Sequence, residues 1–118
     1  MKIKTKLANL VNSVEPLNKL MQKPMPSATA FRCAKLLKAV EAELQIYDEQ
    51  RKKLIEKYGE DDKIDPESKN WDKFVEEMNG LLAEDVSLSA TKVKEENLSK
   101  IEISPADIMN LSWLIKEK

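Results

Sequence analysis

The amino-acid sequence predicts an α+β domain, mainly α: a long antiparallel helical hairpin, a small two- or three-stranded β-sheet and short terminal helices. Three observations predict it. Glycine occurs twice and proline five times in 118 residues, and so few breakers favour long helices over many short strands. Aromatic residues, at 5%, are too scarce for an all-β core. Apolar residues recur at helical spacing over the long stretches and alternate over the short ones. The length fits one domain, residues 1–118, and the apolar content suffices for one core.

Residues 2–7 alternate Lys2, Lys4 and Lys6 with Ile3, Thr5 and Leu7, the pattern of a strand with a basic, solvated face. Over 9–22 the period changes. Leu10, Val14, Leu17 and Met21 form a helical stripe, Asn9 is the expected N-cap, and Pro16 should delay or kink the helix. Pro24 and Pro26 end it. Ser27 is the expected cap of a long helix over 28–58, roughly 45 Å at 1.5 Å per residue. Its seam runs Ala30, Cys33, Leu37, Val40, Leu44, Tyr47, Leu54 and Tyr58, broken by Arg51, and Gly59 stops it.

Asp65 and Pro66 form a start signal for a second helix over 66–83, with Trp71, Phe74, Val75, Met78 and Leu81 inward and Gly80 weakening its last turn. A short loop between two amphipathic helices implies an antiparallel hairpin, with Trp71 facing Leu54 or Tyr58. Residues 86–91 alternate and read as a strand able to pair with 2–7. The segment 92–100 is charged and irregular, and 101–103 reads as a third strand. Ser104-Pro105-Ala106-Asp107 starts the last helix, whose apolar face is Ile108, Leu111, Leu114 and Ile115. The expected core is Leu10, Val14, Leu17, Leu37, Val40, Leu44, Trp71, Phe74, Met78, Leu81, Ile108 and Leu111.

The chemistry is sparse. Histidine is absent, which removes the commonest general base, the Ser-His and Cys-His systems and the usual zinc ligand. Two isolated glycines build no phosphate loop. These facts predict a protein that is not an enzyme and holds no cofactor. Cys33, the one cysteine, has no disulfide partner in the chain and points to a reducing compartment. Arg32 and Lys35 near a helix start suit a reactive thiol, whereas its place in the seam suits a packed one. Glu60, Asp61, Asp62 and Asp65 gather acids without the glycine and terminal glutamate of a calcium loop, the pattern of a solvated turn.

Net charge is −1 but divided: residues 1–40 carry +7 and residues 41–118 carry −8. A bipolar chain neutralises itself on folding or pairs with a neighbour. Arg32, Lys35 and Lys38 form a candidate anion- or partner-binding patch, and with Lys2, Lys4 and Lys6 a candidate nucleic-acid surface. Against the latter stand Glu41 and Glu43 directly after, a pI near 5.6 and no interleaved aromatics. Tyr47, Arg51, Leu54 and Tyr58 are the candidate oligomer seam. Arg51 there either lays its stem along the surface or pairs with an acid across an interface. No apolar run approaches the roughly 20 residues of a membrane span, and no secretory leader is visible at the start, so the expected location is the cytoplasm.

Two stretches carry a resemblance: one runs 23–30 (KPMPSATA), 36–44 (LLKAVEAEL) and 49–59 (EQRKKLIEKYG), and the other is 101–107 (IEISPAD). In this order they resemble small phage and prophage proteins of unknown function, in which a proline-containing turn precedes a long helix ending near KLIEKYG and a terminal helix opens on SPAD. The similar positions are helix caps and packing residues, and they bring no catalytic role with them. A phage origin implies action by binding: in virion or tail assembly, or by blocking a host defence factor, within the bacterial cytoplasm or in the virion itself. The leading expectation is therefore a non-enzymatic protein-binding module, homo-oligomeric and with a protein partner. An oligomer sequestering a small nucleotide-like anion and a nucleic-acid-binding accessory protein are the alternatives.

Overall fold

The computed structural model describes residues 2–60 and 63–116. Its elements, in chain order, are β1 (Ile3–Lys6), α1 (Leu7–Met21), α2 (Ser27–Tyr58), α3 (Trp71–Leu82), β2 (Asp85–Leu88), β3 (Val93–Lys94), a 3-10 turn at Glu95–Leu98, α4 (Pro105–Leu111), a second 3-10 turn at Ser112–Leu114 and β4 (Ile115–Lys116). The fold is α+β and mainly α, as expected. No helix is long and apolar enough to cross a membrane among the described residues.

α2 is the long axis. Its 32 residues span roughly 48 Å, and the molecule measures 50 × 27 × 21 Å. The radius of gyration, 16.6 Å, exceeds the ~13.5 Å of a compact domain of this length. Ser27 is the first helical residue rather than the cap; Pro26 holds the cap position with an extended backbone. Proline suits that place because the donor it lacks would have no intrahelical partner there. Gly59 ends the helix, though not by a left-handed turn, for its φ is −109°. Its role is close approach: a Cβ there would collide with the Lys63 carbonyl oxygen and lie 2.8 Å from that of Ile55.

α3 returns along α2 as the second arm of the hairpin. It starts at Trp71, five residues later than the Pro66 signal implied. Asp65 and Pro66 instead open a separate turn, in which the Glu67 N–H donates to Asp65 Oδ1 (2.9 Å) and the Ser68 N–H to the Asp65 carbonyl (2.8 Å). Helical bonding begins only where the Phe74 N–H reaches the Asn70 carbonyl. Asn70 Nδ2 donates to the Tyr58 carbonyl at 3.2 Å, tying the start of α3 to the end of α2. α3 then continues through Gly80 to Leu82.

β1 and β2 pair antiparallel, with Ile3 opposite Leu88 and Lys6 opposite Asp85. Lys6 Nζ closes that end on Asp85 Oδ1 at 2.6 Å. α1 follows β1 without a linker, because the Leu7 N–H donates to the Glu84 carbonyl (2.9 Å) and Leu7 is buried. This junction overrides Asn9 as a cap; its side chain donates back to Thr5 Oγ1. Pro16 lies buried within a continuous α1, where packing by Leu10, Leu17 and Leu20 outweighs the lost backbone bond. The third strand expected at 101–103 is a loop. The second pairing is instead parallel, Val93 with Ile115 and Lys94 with Lys116.

The core lies at one end. It joins Ile3, Leu7, Leu10, Leu17 and Leu20 with Cys33, Leu36 and Val40 of α2, Leu88, Ala90, Val93 and Leu98, and Leu111 and Leu114. Of the residues expected inside, Leu10, Leu17, Val40, Phe74 and Leu111 are buried, whereas Val14, Leu37, Leu44, Trp71, Met78 and Leu81 are half-buried. Ile108 is exposed and lines a surface cleft, while Leu111, three residues on along the same face, reaches the core. Ser104 caps α4 as expected, its Oγ accepting from the Asp107 N–H at 3.2 Å.

Candidate functional site

α2 has two unlike sides, which its 3.6-residue repeat makes explicit. Thr29, Cys33, Leu36 and Val40 face the core and are buried. Tyr47, Leu54 and Tyr58 continue the same side beyond Val40 and are half-buried, while Arg51 among them is exposed. Three of the four seam residues therefore lie on the side of α2 that faces the rest of the chain. Lys57 Nζ lies 3.8 Å from Glu77 Oε1 of α3, and contact with Tyr58, then the Glu77 charge, raise the pKa of this lysine.

The opposite side is open. Phe31, Lys35, Lys38, Ala42, Ile46 and Glu49 follow one another at spacings of three or four and all are exposed. Phe31 is 62% and Ile46 56% exposed, which leaves most of each apolar side chain in solvent. Lys35 Nζ sits 4.8 Å from the centroid of the Phe31 ring, a cation–π geometry that partly screens the ring. Of the basic patch, Lys35 and Lys38 belong to this stripe, and Arg32 is exposed on a flank turned away from it. None of the three lines a cleft described below.

A cleft of about 640 Å3 lies at the hairpin tip, lined by Lys57, Tyr58, Glu60, Lys63, Asp65 and Asn70 among others. Its lining mixes both charges; Asp65 and Asn70 bond within the turn as above, and the backbones of Glu60 and Lys63 are joined by two hydrogen bonds of 2.8 and 3.0 Å. Asp61 and Asp62 of the acidic turn lie outside the described residues. Among those described, no cluster of three metal-ligating side chains occurs. A second cleft, of about 310 Å3, is mainly apolar and runs between the first 3-10 turn and α4, lined by Leu98, Ile108, Ser112 and Ile115. Met109 of α4 is 76% exposed. Sequence reasoning missed this cleft because Leu98 stands alone in a charged segment. It missed the α2 stripe because an apolar residue every fifteen positions forms no periodic signal.

Cys33 is fully buried, and burial pushes its thiol pKa upward. That is the reverse of what a nucleophilic cysteine needs, and it matches the packed reading. Trp113 Nε1 is buried without a hydrogen-bond partner among the described residues. Comparison of the chain with protein-family models, curated proteins and solved structures finds no match.

Proposed function

We propose that this chain is a non-enzymatic protein-binding module of phage type, acting by occupying a surface in virion or tail assembly or on a host defence factor. The observation that carries the binding reading is the exposed stripe of α2. Phe31 and Ile46 stand in solvent on one side of a helix whose other side is held by the core and α3. A rigid helix that presents a large aromatic and a large aliphatic side chain offers two anchors that a partner's pockets can cover. The phage context rests on the resemblance in the sequence.

Sequestration of a small anion has less support. Arg32 diverges from Lys35 and Lys38 around the helix, Lys35 is engaged with Phe31, and none of the three lines either of the two clefts described above. Nucleic-acid binding meets the same difficulty. The binding reading is tested by placing a photo-reactive residue at position 31 or 46 in cells that make the protein. Irradiation should give adducts of discrete mass, lost when the probe is moved to the buried side. Recovery of unmodified monomer alone would overturn it.

A further inference from the structure

We infer, building on the protein-binding reading above, that the α2 stripe receives a second copy of this chain, packed antiparallel with Ala42 at the two-fold axis. The stripe is complementary to its own reversal. Lys38 and Ile46 stand four residues before and after Ala42, Lys35 and Glu49 seven, and Phe31 and Lys53 eleven. Steps of seven and eleven are close to two and three helical turns, so these residues line up with Ala42 on the exposed side. All of them are exposed.

Rotating a copy about Ala42 brings Lys35 against the partner's Glu49. It lays the methylene stem of Lys38 along the partner's Ile46 and sets Phe31 under the partner's Lys53. Each pairing occurs twice, as an isologous contact requires. Lys35 already leans over Phe31 within the chain, so the ring would lie between two cations. Ala42 is the smallest side chain of the stripe, and at the crossing it lets the two backbones approach. The parallel arrangement in register does the opposite, setting Lys35 on Lys35 and Glu49 on Glu49, and like charges face to face exclude it. The contact runs over roughly 33 Å of helix and is one helix wide. It belongs among the weak, transient interfaces, and its exposed ion pairs make it salt-sensitive.

The test is thiol cross-linking of the full chain at low salt. Cys33 is fully buried, so introduced cysteines report alone. Ala42→Cys should oxidise to a disulfide-linked dimer. The double variant Lys35→Cys/Glu49→Cys should also cross-link, and neither of its single variants should. Within one chain those two positions are fourteen residues apart on a helix, too far to bridge. In light scattering, Glu49→Lys should weaken self-association about tenfold and Lys35→Glu/Glu49→Lys should restore it. A Lys35→Cys chain that cross-links by itself would show parallel packing and overturn the proposal. So would a chain that remains monomeric at all concentrations and salt levels. In that case adducts to a different protein at position 31 would leave the binding reading standing, and their absence would remove both.

Discussion

The two halves of α2 are the same helix under different constraints. From Thr29 to Val40 it is gripped by α1, by β2 and β3 and by the core, with four residues fully inside. From Glu41 to Tyr58 it has no buried residue; Leu44 and Tyr47 pack half-buried against the edge of the core, and α3 returns alongside as the second arm of the hairpin. Phe74 is the one buried side chain that α3 contributes. The near half should therefore unfold only with the whole molecule, and the far half should open locally at lower cost.

The largest effect that can test this contrast is at Leu36, fully buried in the near half. Leu36→Ala should cost about 4 kcal/mol, within the range of core truncations, and should lower denaturant stability for every probe together. Phe74→Ala in the far half should cost about 3 kcal/mol. Its expected signature differs: amides of 50–82 should exchange faster, with those of α1 and the first half of α2 unchanged. If Phe74→Ala weakens protection everywhere, the hairpin is part of one cooperative unit and the contrast fails.

Smaller effects sharpen the comparison. Ser104→Ala removes the hydrogen bond that caps α4 and should cost about 1 kcal/mol, felt globally because Leu111 anchors α4 in the core. Gly80→Ala should do the reverse, in the far half. A Cβ at Gly80 meets nothing within 4 Å, and alanine in a helix interior is favoured by about 0.5–1 kcal/mol over glycine. Slower exchange confined to α3 and the second half of α2 is the result expected from hydrogen-exchange measurements. Destabilisation by this variant would mean that α3 is not helical at its last turn.

The same contrast explains what was legible in the sequence. Where local signals and packing agree they read correctly: Gly59 as the end of α2, Ser104 and Pro105 as the start of α4, and the strand expected over 86–91 against 2–7, which forms over Asp85–Leu88 against Ile3–Lys6 and ends before Ser89. Where a tertiary contact competes, the local signal loses. Asn9 yields to the Leu7–Glu84 bond, Pro16 to the packing of α1, and the Pro66 start to the turn built by Asp65. A 3-4 repeat tolerates either Leu36 or Leu37 as the inward residue, and only the elements packed on α2 decide for Leu36. Val93 and Leu98 were missed because two apolar residues in a charged stretch carry no period. In the candidate site Lys35 and Lys38 were singled out for charge, but their neighbours Phe31 and Ile46 gain meaning only once both are known to be uncovered.

Two ionisable groups, one in each half, are shifted upward for different reasons, and the last prediction turns on the buried one. Lys57 in the far half is raised by partners, Tyr58 first and then Glu77, while remaining in solvent. Cys33 in the near half is raised by burial, which disfavours the thiolate. A thiol whose folded pKa exceeds its free value of 9.0 binds its proton more tightly folded than unfolded. Its contribution to stability is complete below pH about 9 and declines above it, until the folded pKa is passed. Cys33→Ala loses packing at every pH but is free of this alkaline decline. The stability gap between the natural chain and Cys33→Ala should therefore be constant from pH 6 to 8 and narrow at pH 10, while lysine and tyrosine titrations cancel between the two. A gap that stays constant to pH 10 would mean that the thiol titrates alike in both states, and that the near half is open enough around Cys33 for water to reach it.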